Sequence, residues 1–156
     1  MSEPTLMSEP TLSLRLIGES RVFRPGETLS GEFFVDTGDP RDVKSAELSV
    51  LWFTEGKGDE DMAVHFFQRI GNDNGHFVDL RCTQQFTTDL PNSPLSYDGV
   101  VLKIHWCVRL RIFIARGREI VAEEPFQLGS LPRSRPARQI SPPHRVPARV
   151  SVKDAS

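Results

Sequence analysis

The side chains with which this chain could do chemistry are four histidines (His65, His76, His105 and His144), two cysteines (Cys82 and Cys107) and scattered serines. No two histidines stand four residues apart, as a helical metal-binding pair would, and none belongs to a carboxylate motif. No serine sits in a Gly-x-Ser-x-Gly elbow. Two thiols without companion Cys or His spacing do not make a zinc site. Cys82 shares parity with Val78, Leu80 and Phe86 and is expected to point inward, whereas Cys107 shares parity with Lys103 and Arg109 and is expected to lie on a solvated sheet face. Thiols on opposite faces do not bridge, so both are expected to be reduced. The residues therefore point to no catalytic, metal or cofactor site, and the chain reads as a non-enzyme.

Charge offers other candidates. Lys103, His105, Arg109 and Arg111 form a cationic row on one alternating stretch, with Glu119, Glu123 and Glu47 at matching parity nearby. Cross-strand pairs of this kind contribute about 0.2–1 kcal/mol each, so the row reads as a neutralised solvated face more than as a patch for an acidic partner. Residues 1–129 hold 13 Lys and Arg against 20 Asp and Glu, a net charge of −7, while residues 130–156 hold 6 against 1, a net charge of +5. In that basic segment Arg133, Arg135, Arg138, Arg145 and Arg149 alternate with Pro132, Pro136, Pro142, Pro143 and Pro147. These five arginines are the candidate binding residues, for an acidic surface. An anionic membrane, an SH3-like groove or the acidic body itself would each suit them. Nucleic acid is disfavoured, because the body lacks an aromatic-basic platform.

The elements that must carry these residues alternate with period two. In residues 100–114, Leu102, Ile104, Trp106, Val108, Leu110, Ile112 and Ile114 fall on one face and the cationic row on the other, which predicts a half-buried strand. Similar alternation appears at Leu12-Leu14-Leu16, Leu29-Gly31-Phe33-Val35, Ala46-Leu48-Val50-Trp52, Met62-Val64-Phe66, Val78-Leu80-Cys82-Phe86 and 118–128. Gly31 within its strand predicts a bulge or a close neighbour. Pro25-Gly26 and Gly71-Asn72-Asp73-Asn74-Gly75 are turn signals. A three-residue loop at Ala115-Arg116-Gly117, with Gly117 left-handed, keeps parity and opposes Ile112 to Ile120, Leu110 to Ala122, Trp106 to Phe126 and Arg109 to Glu123.

Together these predict an all-β fold, an antiparallel two-sheet immunoglobulin-like sandwich of about seven strands spanning residues 12–129. Residues 1–6 and 7–12 repeat Met-Ser-Glu-Pro-Thr-Leu, so 1–11 is expected to be a disordered duplicated start. Residues 130–156 are expected to be a disordered, extended tail. No apolar run approaches the roughly 20 residues that span a bilayer and no secretory leader is recognisable, so the expected address is cytoplasmic.

Several stretches resemble the arrestin family. Val22-Phe23-Arg24-Pro25-Gly26-Glu27-Thr28-Leu29-Ser30-Gly31 is similar to the strand-turn-strand that opens an arrestin domain, and Val43-Lys44-Ser45-Ala46-Glu47-Leu48 to the strand that follows it. Phe86-x-x-x-Leu90-Pro91, leading through Ser96-Tyr97-x-Gly99 into a long alternating strand, resembles a later hallmark shared with retromer subunits of the Vps26 type. The likeness covers one arrestin-like sandwich where arrestins carry two, and no PPxY motif is present. It implies a non-enzymatic scaffold or adaptor that binds protein partners in trafficking or signalling. A single-domain relative would also resemble bacterial sporulation-control proteins of the Spo0M type. A small-ligand or carbohydrate-binding sandwich is the alternative.

Overall fold

The longest alternating stretch becomes the centre of the molecule. In a computed structural model, which describes residues 10–37, 39–71 and 78–130, nine β-strands are found among the described residues. They are β1 (Thr11–Leu16), β2 (Val22–Phe23), β3 (Thr28–Asp36), β4 (Val43–Gly56), β5 (Met62–Gly71), β6 (Gln84–Asp89), β7 (Tyr97–Asp98), β8 (Leu102–Ile114) and β9 (Arg118–Leu128). One sheet has the order β1-β3-β6; the other has β2-β9-β8-β4-β5, with β7 also paired to β8. The sequence expectation of an antiparallel sandwich holds, with two-residue strands β2 and β7 added and β2 parallel to β9. Strand β1 begins at Thr11, opposite Asp36. Residues 1–9 of the duplicated start and 131–156 of the tail lie outside the described residues, as do His76 and His144.

The inner rows of both sheets form one core. Ala46, Leu48 and Val50 of β4, Trp106, Val108, Leu110, Ile112 and Ile114 of β8, and Phe126 and Leu128 of β9 meet Leu16, Leu29, Phe33, Val35 and Phe86 of the smaller sheet. The β8–β9 hairpin has the predicted register throughout: Trp106↔Phe126, Arg109↔Glu123, Leu110↔Ala122 and Ile112↔Ile120. Its loop Ala115–Gly117 places Gly117 in the left-handed region, at φ 71°, and also Arg116, at φ 70°.

Three expectations are corrected. Residues 78–83 do not continue a strand into β6. The Asp79 carboxylate accepts hydrogen bonds from the Arg81 backbone N–H (3.0 Å) and guanidinium (3.0 and 2.9 Å), and Cys82 N–H donates to the Asp79 carbonyl (3.1 Å), which closes a turn. Cys82 is therefore exposed, while Cys107 is buried, the reverse of the parity reading. In β5 the pairing with β4 skips His65, between Val50↔Phe66 and Leu51↔Val64. This bulge puts Phe66 on the opposite face from Met62 and Val64. Finally, β8 begins at Leu102, leaving Val100 and Val101 in the turn before it.

Gly31 is accounted for by a close neighbour and not by a bulge. It pairs with Leu16 on one side and Phe86 on the other, and an added Cβ would run into the Phe86 ring and lie 2.8 Å from the Arg15 carbonyl oxygen. Gly31→Ala is expected to destabilise the fold by about 1–3 kcal/mol, the usual range for overpacking. Denaturant melts read this directly, and an unchanged midpoint would contradict the packing.

Candidate interaction surface

On the outer face of the larger sheet the charges are paired. The Arg109 Nε donates to Glu123 Oε2 at 2.7 Å and Arg111 Nη2 to both Glu119 oxygens at 2.9 and 3.0 Å. His105 Nε2 lies 2.8 Å from Glu55 Oε1 and Lys103 Nζ 3.5 Å from Asp98 Oδ1. Glu47 opposes Arg111 in the register, but its carboxylate lies 3.8 Å from Arg69 Nε on the other side. The predicted neutralised row is thus present, with Glu55 and Asp98 as the partners that sequence parity missed. Both sit at strand ends: Glu55 is opposite Lys103 and reaches His105 on the diagonal, while Asp98 is opposite Lys103 from the other side, so the contacts depend on the full length of β4 and on the β7 hairpin.

Cys107 lies beneath this layer. Leu51 and Pro125 flank it in the register, and Glu123 bonds Arg109 above it, whose Nη1 reaches Met62 Sδ at 3.9 Å. Burial, together with the nearby Glu123 carboxylate, pushes the Cys107 thiol up to about 12, against a smaller opposing pull from Arg109. This is a protonated structural thiol, not the solvated one expected from parity. His65 is also accounted for: its Nε2 lies 2.7 Å from the Asp89 carbonyl, and its ring packs edge-on to Trp106. No group of three or more potential metal ligands occurs among the described residues. No helix there is long and apolar enough to cross a membrane. The arginines Arg133, Arg135, Arg138, Arg145 and Arg149 lie outside the described residues. An open hollow of about 370 Å³ is lined by Lys44, Ser45, Glu47, Arg69 and Phe113.

Among the described residues, one group of exposed apolar side chains lies at one end of the sandwich, around the β7–β8 hairpin. Leu95, Tyr97, Val100, Val101 and Leu102 are all exposed there, Val100 completely. The backbone beneath them is fixed. Trp106 Nε1 donates to the Pro94 carbonyl at 2.7 Å, Ser96 N–H donates to the Leu128 carbonyl at 2.8 Å, and Ser96 Oγ accepts from Leu128 N–H at 2.8 Å. At the tip, Gly99 N–H donates to the Leu102 carbonyl at 3.0 Å. A Cβ on Gly99 would run into the Tyr97 ring, and one on Gly56 into the Val101 carbonyl oxygen. Gly56 thus lets the turn close on the end of β4 and Gly99 lets it fold over Tyr97, while its valine side chains are exposed. The Ser96-Tyr97-x-Gly99 lead-in marked this turn in the sequence; the apolar exposure was missed because Val100 and Val101 read as the start of the strand.

No family model matches the sequence and no curated protein matches it by sequence. Its fold does match solved structures. The sporulation control protein Spo0M from Bacillus subtilis superposes with a TM-score of 0.55 at 18% identity, over 80% of this chain and 51% of that one. The chain thus spans about half the length of that protein. The arrestin-like sandwich implied by the sequence is borne out at the level of fold.

The environments of the two thiols can be separated by alkylation. At pH 8.5 the exposed Cys82 is expected to be alkylated by iodoacetamide in the folded protein, while Cys107 stays unmodified until the protein is unfolded. Because the raised thiol favours the folded state only while protonated, it also makes stability fall as pH climbs from about 9 towards 12. Equal labelling of both cysteines in the folded protein would refute the burial.

Proposed function

We propose that the chain is a non-enzymatic protein-interaction module, an arrestin-like scaffold or adaptor acting in the cytoplasm. The observation that supports this best is the apolar crown of Leu95, Tyr97, Val100, Val101 and Leu102, held on a backbone fixed by Gly56, Gly99, Trp106 and Ser96. Exposed apolar side chains on a rigid turn are a recurring sign of a protein contact, and fixing the turn in advance lowers the ordering cost of binding. The partner is a protein presenting an apolar groove wide enough for two valines, with a polar rim. The likeness to a protein described as a sporulation control protein adds a role in sporulation or stress control as the cellular setting. The basic tail, with Arg133, Arg135, Arg138, Arg145 and Arg149, supplies a second contact to an acidic surface.

The small-ligand alternative rests on the hollow at Lys44, Ser45, Glu47, Arg69 and Phe113. With Glu47 paired to Arg69 across it and its mouth open to solvent, it lacks the enclosed apolar walls of a typical ligand site.

Full-length protein carrying Val100→Asp and Val101→Asp tests the reading. Both side chains are exposed, so stability is expected to shift by less than about 0.5 kcal/mol. Partners captured from the native source by the unaltered protein are expected to be lost, with affinity reduced at least tenfold. Retention of every partner by the double variant would overturn the assignment of the crown. A saturable small ligand with no protein partner would favour the alternative.

A further inference from the structure

Strand β5 closes the larger sheet and pairs, among the described residues, with β4 alone. At the sheet's other end, β9 is joined by β2 and lies close to β1. The smaller sheet's outer strand β6 reads Gln-Gln-Phe-Thr-Thr-Asp, a polar edge. β5 reads Met-Ala-Val-His-Phe-Phe-Gln-Arg-Ile-Gly, with no Lys, Pro, Asp or Glu along its length. Natural proteins guard an open edge with charged side chains, Pro and bulges; here the guards are the single charge of Arg69 and the bulge at His65. Beyond the bulge, Phe66–Ile70 runs in unbroken register with β4. Met62, Val64 and Phe67 on its outer face are 57, 49 and 52% exposed, while Phe66 and Ile70 on its inner face are only partly buried against the core.

We propose that this edge is a two-fold self-pairing site, at which β5 of a second copy adds antiparallel to β5, centred on Gln68. The segment Phe66-Phe67-Gln68-Arg69-Ile70 is complementary to its own reverse. Centring on Gln68 opposes Phe66 to Ile70 of the other copy on the inner face, an aromatic against a β-branched side chain. On the outer face it opposes Phe67 to Arg69 of the other copy, a cation that keeps Glu47 of its own chain at 3.8 Å while its guanidinium plane meets the aromatic ring, twice by symmetry. The two Gln68 amides meet at the axis, where each can donate to the other. Other registers are worse. Centring on Arg69 sets two guanidinium groups directly opposite, and centring on Phe67 sets Phe66 against Gln68 and drives Arg69 into the bulge. Shifts by a single position oppose inner to outer faces. The pairing joins two large sheets into one, and because the strands run antiparallel, the two Val100–Val101 tips point to opposite ends of the dimer. The dimer stands whether or not those tips bind a protein.

Phe67 supplies the test, since its half-exposed side chain can change without disturbing the core. In the full chain, Phe67→Lys sets an ammonium group against Arg69 of the other copy, whereas Phe67→Glu sets a carboxylate there. Light scattering at micromolar concentration is expected to give twice the 17.6 kDa chain mass for the unaltered protein and for F67E, and the single mass for F67K. Raised salt is expected to weaken the F67E dimer and to leave the unaltered protein little changed. Hydrogen exchange is expected to show slow amides on the side of β5 facing away from β4, becoming fast in F67K. A monomeric unaltered protein with fast amides there overturns the proposal. So does a dimer that survives F67K, or one lost equally in F67E and F67K, which would place the contact elsewhere or in another register. Dimerisation is expected to persist in V100D/V101D, so loss of partner binding in that variant and loss of self-pairing are read separately.

Discussion

The pairing of β4 with β8 is the constraint on which the rest of the molecule depends. It runs without interruption from Ser45↔Phe113 to Gly56↔Leu102, and its inner side carries Leu48, Val50, Trp106, Val108, Leu110 and Ile112, all buried. These apolar side chains are removed from water by the opposing sheet, and their burial dominates the stabilisation. A one-residue slip would turn each of them outward and carry the cationic row into the core, so hydrophobic burial fixes the register strongly. The remaining elements take positions relative to this pair: β9 on one side, β5 on the other, and the β7 hairpin continuing from its end.

The same register organises the outer face. Once Arg109 is opposite Glu123 and Arg111 reaches Glu119 on the diagonal, the charges need no external partner, and the space beneath them is closed enough to bury Leu51 and Cys107. Surface pairs of this sort stabilise little individually. Their structural effect here is to roof a second, thin apolar layer on a face that alternation alone would assign to solvent. Among the described residues, groups of exposed apolar side chains are left at the edge strand β5 and at the hairpin tip, with Ile17, Val22, Phe34 and Val121 exposed elsewhere.

What could be read in the sequence follows from this. The long alternating stretch, the parity of the Ala115–Gly117 loop and the register of β8 on β9 were legible because one buried face permits a single answer. The reading of the cysteines failed for two physical reasons. Parity assigns a face only to a residue within a strand, and the Asp79–Arg81 turn removes Cys82 from one. Parity also takes the outer face to be wet, and the ion-paired roof over Cys107 makes it dry. The bulge at His65 had no Gly or Pro to announce it; it is held by tertiary contacts with Asp89 and Trp106. The five tail arginines belong to a segment whose composition, not its pattern, singled them out.

Gly56 and Gly99 separate two properties that are usually entangled in a binding loop. The path of the hairpin tip is determined by the absence of side chains at these two positions and by backbone hydrogen bonding, while Val100 and Val101 contribute almost nothing to holding it. The tip is therefore a socket of fixed shape with interchangeable bits. Side chains at 100 and 101 can be exchanged at almost no structural penalty, which leaves the surface chemistry of the tip free to vary while its shape stays the same and gives an engineer two positions to randomise.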